Sequence, residues 1–259
     1  MAMMKKSLLE LRAEHPGFNL PCQYRIGRSL GNSYICFQNF YSQVLPNEET
    51  PVDLHLCLFN EEGEQLEHAC IPVPTAGFAQ VDVAELGIQE PGLAAVMAVP
   101  KFDLAGLSKG RFRLKNNKGT GYYVVWQGKD GQVDTMHEWV AVTEATLPKR
   151  SLYAVYSADD GVLVRHGVVL INPLLGKGVE TAPFLTVQTS DRKLLGQARV
   201  EVIPSMGSRM LYLDELFSDF TAWLNTHRHL CVGFHGANLV EPLTVELHAA
   251  GDFHIHHIN

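Results

Sequence analysis

The chain has 259 residues, of which 46% are apolar and 19% are charged, so it is long enough for one large domain or two of ordinary size. Its formal net charge of -7 and pI near 5.9 argue against a dedicated nucleic-acid-binding protein, because affinity for phosphate needs clustered positive charge. No apolar run approaches the length of a membrane-spanning helix. The acidic net charge and the lack of a long apolar run predict a cytoplasmic protein.

The first segment, residues 1–19, predicts a short amphipathic helix. Two lysines near its start resemble the beginning of a signal peptide, but Glu10, Arg12 and Glu14 interrupt any apolar segment that could follow them. The helix should end before Pro16, which restricts the backbone of the residue that precedes it.

The cysteines predict buried, reduced thiols. Their number is odd and no CxxC pair occurs, so a disulfide framework or a zinc–thiolate site has little support. Most of them stand in apolar, strand-like runs, where cysteine behaves as a small apolar residue. The five are Cys22, Cys36, Cys57, Cys70 and Cys231.

Strand signals dominate both halves of the chain. Short runs rich in Val, Ile, Tyr and Phe are separated by turn sequences such as NEEGEQ and GKDGQ. Helical periodicity is confined to the N-terminus and to 213–225. The pattern predicts an all-β protein with antiparallel sheets. In the first half the predicted strands are 34–40, 52–60, 67–74, 79–86, 93–100, 111–115, 122–127 and 138–145.

The two halves resemble each other, which predicts an internal duplication. ICFQN (35–39) aligns with VVLIN (168–172), the segment 77–86 aligns with 207–216, and 131–137 aligns with 251–257. We therefore expect two tandem β-sandwich domains, spanning 20–147 and 148–259, with the boundary near TLPKRS (146–151). The strand ending in Asn, followed by a hairpin and an "xEL" segment, resembles sensory-rhodopsin-transducer-type domains over about half of the chain, without a motif that implies a function.

The last residues, LTVELHAAGDFHIHH, predict a β-hairpin with a three-residue loop that ends in Gly251. This register places Val245 opposite Ile255 on an apolar face. The other face then carries polar residues, with Glu246 opposite His254 and His248 opposite Asp252. We expect the apolar face to point inward and the polar face to point outward.

A metal site is the sharpest hypothesis for this polar face. Two histidines at positions i and i+2 of a strand project to one side, and a carboxylate across the hairpin completes a mixed N/O ligand set suited to a divalent transition metal. If the strand RHLCVGFH lies beside the hairpin, its outward histidines join the face. The candidate ligands are then His254, His256, Glu246, His248, His229 and His235.

Two other interpretations of the polar face remain open. It is equally typical of a solvated or interface strand, and its histidines could make an interface sensitive to pH. His254-x-His256 resembles the HxH strand of the cupins, but no Glu follows it. The cupin ligands also lie inside a barrel, whereas this alternation predicts outward side chains.

Other constellations have simpler interpretations. A basic stripe, Arg111, Arg113 and Lys115, is typical of a charged edge strand. His55 and His68 stand alone in strands and are most simply structural. The aromatic residues could form a platform for a sugar, although their spacing suits core packing equally well; they are Trp126, Trp139, Trp223, Tyr122, Tyr123 and Tyr156.

An outward apolar stripe is expected in the first half, at Val124, Trp126 and Met136. Such a stripe requires a cover, which could be the other domain, the N-terminal helix or a second chain, so self-association or a protein partner is a reasonable hypothesis. The leading functional hypothesis is therefore a non-enzymatic binding or assembly protein that uses sheet faces and edges. The alternative is a metal-binding protein, including a metal-dependent enzyme, built on the histidine-rich face. Carbohydrate binding is a third hypothesis, and a small-molecule ligand is also left open.

Overall fold

A computed structural model describes residues 5–16, 18, 20–103, 120–137, 140–158, 164–176, 178–249 and 253–257. The described residues form two compact units. The first takes in the residues up to Asn60, Glu64–Gln127 and Thr135–Val142, and the second takes in Glu61–Gly63, Gly128–Asp134 and the residues from Thr143 onward. None of the helices in the described part of the chain is long and apolar enough to cross a membrane.

The helices are few and short. α1 (Leu8–Glu14) begins with a capping box, in which the Ser7 hydroxyl accepts a hydrogen bond from the Glu10 backbone N–H and the Glu10 carboxylate accepts one from the Ser7 backbone N–H. The predicted helical segment 213–225 is helical in two pieces. The remaining helices are α2 (Tyr41–Val44), α3 (Leu213–Leu216), α4 (Phe220–His227) and a 3-10 turn at Ala84–Leu86.

The molecule is mostly β, and the predicted all-β class is confirmed. The earlier strands are β1 (Pro21–Arg25), β2 (Gly31–Asn39), β3 (Val52–Asn60), β4 (Gln65–Val73), β5 (Phe78–Asp82), β6 (Gly92–Pro100), β7 (Thr120–Gly128), β8 (Val133–His137) and β9 (Val140–Ala141). The later strands are β10 (Arg150–Ser157), β11 (Val164–Ile171), β12 (Phe184–Thr189), β13 (Leu194–Arg199), β14 (Ser208–Tyr212), β15 (His229–Gly236), β16 (Leu243–His248) and β17 (Phe253–His257).

Each unit contains two antiparallel sheets. In the first unit the strand orders are β4-β3-β6-β1-β9 and β5-β2-β7-β8; in the second they are β13-β12-β15-β10 and β14-β11-β16-β17. In the second unit, Val168 and Leu170 of one sheet share a buried cluster with Leu185 and Val232 of the other sheet, as expected of a sandwich.

The two units have the same strand order. Adding nine to each strand number from β1 to β8 converts the sheets of the first unit, apart from the short β9, into those of the second. A register shift also occurs at the same place, between Leu58 and Phe59 of β3 and between Val187 and Gln188 of β12. Descent from one duplicated ancestor remains a prediction, because a shared strand order does not by itself show common ancestry.

The predicted outward stripe of the first unit is wrong, because Val124, Trp126 and Met136 are all buried. The indole Nε1 of Trp126 donates a hydrogen bond to the backbone oxygen of Tyr24, 3.0 Å away, on a strand of the opposite sheet. Trp126 therefore lies inside the first sandwich. The residues of β7 do alternate as predicted, but the face that its apolar residues form points toward the core of the sandwich.

Candidate functional site

The C-terminal hairpin has the predicted register. β16 and β17 pair antiparallel, with Val245 opposite Ile255 and Glu246 opposite His254. The alternation of apolar and polar residues therefore identified the pairing correctly. The expected partner of His248, Asp252, lies outside the described residues.

The polar face of this hairpin lies on the side of its sheet that carries the sandwich core, which the prediction did not expect. Glu246 and His254 lie in one cross-strand row with His166 of β11. Val168, two residues further along β11 on the same face, belongs to the sandwich core. The opposite, apolar face of the hairpin is buried, as predicted. The polar residues therefore lie on the core side of their sheet but keep access to solvent, because His256 is exposed and Glu246 and His254 are partly exposed.

The expected gathering of all the candidate histidines on one face is also wrong. His229 and His235 lie on β15, which pairs with β10 and β12 in the other sheet of the unit. The two ring nitrogens of His235 are each within hydrogen-bond distance of a hydroxyl, at 2.7 Å from Ser151 Oγ and 3.0 Å from Thr186 Oγ1. Consecutive strands of the sandwich alternate between sheets here, which the periodicity of a single strand does not reveal.

Three residues of the second unit come together as possible metal ligands: Asp134, His254 and His256. One ligand atom from each lies within 4.8 Å of the other two. The two imidazole rings are stacked, with centroids 5.7 Å apart and planes inclined by 14°. Of the six predicted ligands, this cluster includes only His254 and His256.

Asp134 is held against β17 by the backbone. Its Oδ2 accepts a hydrogen bond from the Ile255 N–H at 2.8 Å, and Ile255 stands between the two histidines. The same oxygen is 3.9 Å from His254 Nδ1. The carboxylate therefore lies beside the strand at the point where both imidazoles project.

Gln132 fixes the other side of His254. Its Nε2 lies 3.0 Å from His254 Nε2, whereas its Oε1 is buried with no hydrogen-bond partner in the described residues. This contact leaves Nδ1 as the nitrogen that faces Asp134. His248 adds a perpendicular ring contact to His254, with centroids 5.5 Å apart.

A second feature of this unit is an exposed apolar surface on the outer face of the β13-β12-β15-β10 sheet. Val155 is 70% exposed, Leu194 is 52% exposed and Tyr153 is 48% exposed. Val155, Cys231, Gln188 and Leu194 follow one another across the four strands. We call this surface the open face.

The corresponding face in the first unit is covered by α1. The backbone N–H of Lys6 donates to His68 Nδ1, and that of Leu8 donates to Gln65 Oε1. Leu8 and Leu11 of the helix are buried. The exposure of the open face shows that no described segment covers it in the same way.

Most of the described aromatic residues that were considered for a sugar platform belong to the cores. Tyr122, Trp126 and Tyr156 are buried in the cores, and Trp223 packs against the core of the second unit. Trp139 and the basic stripe of Arg111, Arg113 and Lys115 lie outside the described residues. These aromatic positions therefore favour the core-packing interpretation.

Sequence reasoning missed two groupings. Asp134 gave no signal, because nothing in its own strand indicates proximity to a segment about 120 residues later. His55 and His68 were treated as separate, yet His55 Nδ1 lies 3.1 Å from His68 Nε2 and their rings are stacked at 7°. Opposed strands bring them together: the position opposite His68 is Cys57, two residues from His55.

Comparisons with known proteins do not assign a family. No family model and no curated protein matches the chain. A solved structure, the M60 catalytic domain with the CBM51-1 and CBM51-2 domains from Clostridium perfringens ZmpB, aligns at 8% sequence identity over 85% of this chain and 33% of the other. Its TM-score is 0.21, too low for any argument about fold or function.

Proposed function

We propose that this chain is a non-enzymatic assembly protein that associates with a second copy of itself through β10. The observation that carries the proposal is that β10 ends its sheet and that its exposed apolar residues lie at this free edge. In the first unit, β1 pairs with β6 on one side and with β9 on the other. β10 corresponds to β1, but among the described residues no strand pairs with its second side in the way that β9 pairs with β1.

The free edge of β10 offers unpaired backbone groups. The Ala158 N–H bonds to the Arg228 oxygen at 2.9 Å, so even-numbered residues of this strand bond to β15. The N–H and C=O groups of Ser151, Tyr153, Val155 and Ser157 therefore point away from β15. The side chains of the same four residues lie on the open face and are exposed.

The sequence of this edge is suited to pairing with itself. From Ser151 to Ser157 it contains no charge, proline or glycine, the features by which edge strands usually avoid association. The edges β4 and β13 do carry such features inside the strand, Pro72 and Gly196 respectively. Apart from Arg150 at its start, β10 therefore lacks the usual protection against strand addition.

A twofold axis through Ala154 gives a consistent antiparallel pairing. Tyr153 would face Val155 of the second copy, and Ser151 would face Ser157, so no like charges meet. The twofold axis repeats each of these two pairings, so the edge holds four residue pairs, all of the hydrogen-bonded type. Two hydrogen bonds in each pair give about eight backbone hydrogen bonds. Aromatic side chains opposite β-branched ones stabilise neighbouring strands.

Three lysine variants test the proposal by mass in solution. Val155→Lys places a charge at the edge and should weaken dimerisation at least about tenfold. Leu194→Lys changes the open face far from the edge, and Val202→Lys changes an exposed valine elsewhere; both should leave the dimer intact. Circular dichroism confirms that each variant is folded. A monomeric mass for the unmodified chain at high protein concentration would refute the proposal.

Directed disulfides test the register, in a Cys231→Ser background. Tyr153→Cys combined with Val155→Cys should cross-link two copies, because hydrogen-bonded partners have Cα atoms about 5.5 Å apart. Either cysteine alone faces a native residue in the second copy and should cross-link poorly. Equal cross-linking by all three variants would contradict a twofold axis at Ala154.

A metal-binding role is a second candidate function, favoured by the cluster of Asp134, His254 and His256. It is independent of self-association, because these residues do not belong to the sheet that contains β10. A metal titration tests it without reference to the dimer.

A further inference from the structure

The histidine-rich end of the second unit differs from what the fold itself requires. The strand positions of Glu246 and His256 align with Trp126 and Met136 of the first unit, which are buried apolar residues. In the second unit the same positions are accessible, since Glu246 is partly exposed and His256 is exposed. The second unit therefore presents ionisable side chains to solvent where the first has core residues.

The ligand chemistry narrows the kind of ion. Imidazole nitrogens favour zinc and its transition-metal neighbours, whereas Mg²⁺ and Ca²⁺ favour all-oxygen sites. Two imidazoles and one carboxylate are also a ligand set that leaves at least one position open for water. This set goes beyond the ligands that the hairpin sequence indicates, because Asp134 replaces Glu246 as the carboxylate.

The surroundings of His254 suit a metal ligand. Rotating the terminal amide of Gln132 by 180° exchanges its two ends and brings Oε1 to His254 Nε2. Oε1 then accepts the N–H of His254 Nε2, and the amide NH2 group of Gln132 takes the buried position in which Oε1 now has no partner. Nδ1 is left with its lone pair directed toward Asp134. Metal-bound histidines commonly donate their second N–H to an oxygen in this way.

We propose that Asp134, His254 and His256 bind one divalent transition-metal ion of the zinc class. Ligand atoms around a tetrahedral zinc ion are about 3.3 Å apart, so the present separations of up to 4.8 Å must contract. His256 is exposed and can rotate without disturbing the core. Asp134 and His254 are held by Ile255 and Gln132, and need the smaller movements.

Zinc titration of the untagged chain, followed by competition with a chromophoric chelator and by calorimetry, tests the site. We expect one saturable site per chain. His256→Ala and Asp134→Asn should each weaken zinc binding at least about tenfold, and Gln132→Ala should weaken it by about 10- to 100-fold. His229→Ala removes an exposed histidine from the other sheet and should leave binding unchanged.

Cobalt substitution of the unmodified chain provides a second readout, which does not depend on the stability of a variant. Co²⁺ in a four-coordinate N/O site should give visible absorption that zinc abolishes, and His256→Ala should lose it. Because His256 is exposed, this variant should keep the circular dichroism of the unmodified chain. The proposal is overturned if no saturable zinc binding occurs, or if His256→Ala and His229→Ala bind zinc equally well.

Discussion

At the scale of single residues, two asparagines hold equivalent turns in the two units. Asn39 donates from Nδ2 to the backbone oxygens of Thr50 and Pro74, at 2.7 and 3.1 Å, and its Oδ1 accepts from the Tyr41 N–H. Asn172 makes the equivalent three bonds: its Nδ2 donates to the backbone oxygens of Val179 and Ile203, and its Oδ1 accepts from the Leu174 N–H. Both asparagines are buried, so each satisfies backbone groups that water cannot reach.

Replacing either asparagine by alanine should therefore destabilise its unit. Asn172→Ala removes the side-chain partners of the Val179 carbonyl and of the Leu174 N–H, whereas the Ile203 carbonyl keeps the Thr181 N–H. We expect a loss of about 2–4 kcal/mol in the free energy of unfolding. Asn39→Ala should lose a similar amount. Urea unfolding measures both, with Asn225→Ala on the exposed side of α4 as the control. A loss no larger than that of the control would show that water replaces these bonds.

At the scale of elements, α1 is attached to the first unit through a histidine pair. His68 accepts the Lys6 N–H at Nδ1, and its Nε2 faces His55 Nδ1. Burial lowers the pKa of His55 to about 4, with further lowering from His68, His15 and Lys6 and an opposing effect of Asp53. Burial also lowers the pKa of His68, against the raising effect of Glu67. Neutral imidazoles thus favour this attachment.

The lowered pKa values of His55 and His68 predict that the first unit loses stability in acid. Because the folded-state pKa values lie below the ordinary histidine value of about 6.5, the unfolded chain binds protons more readily as the pH falls from there toward about 4. Stability should be fully retained above about pH 7 and should decrease by a few kcal/mol across this window.

Urea midpoints at about pH 8 and about pH 5 check this prediction. The difference between the two pH values should be smaller in His55→Asn than in the unmodified chain. His227→Asn, an exposed histidine of α4, should keep the full difference. If His55→Asn retains it as well, other groups carry the acid sensitivity.

At the scale of the whole molecule, the two units share a strand order but differ in what their sheets present. The outer face of one sheet in the first unit carries α1, whereas the corresponding open face in the second exposes Val155 and Leu194. Large exposed apolar side chains next to an unpaired strand edge are typical of association sites. The second unit also holds the Asp134 cluster, so both proposed activities belong to it.

The cysteines of both units should react slowly while the chain is folded. All five are free thiols; Cys22, Cys36 and Cys57 are buried and Cys70 and Cys231 are partly exposed. Burial raises the pKa of Cys22 and Cys57 to about 12, which keeps these thiols protonated and unreactive.

A thiol-reactive dye should therefore label at most Cys70 and Cys231 in the folded chain, and all five after denaturation. Cys231→Ser should remove one of the accessible thiols without affecting the other. Rapid labelling of more than two thiols in the folded chain would contradict the burial of Cys22, Cys36 and Cys57.

The sequence by itself determined the local structure. Alternating residues predicted the β class and the register of β16 with β17, because cross-strand pairing follows from a period of two and from turn chemistry. Clusters of Gly, Asn and Asp favour turns, so they predicted where one strand ends and the next begins.

Only the tertiary structure decided which face of each sheet points inward and which distant residues meet. The polar face of β16 lies on the side of the sheet that carries core residues of β11, so the apolar alternation of β16 did not show which side holds the sandwich core. His229 and His235 lie apart from the hairpin because their strand, β15, belongs to the other sheet of the unit. Asp134 meets His254 and His256 through contacts between segments far apart in the chain, which no local pattern encodes.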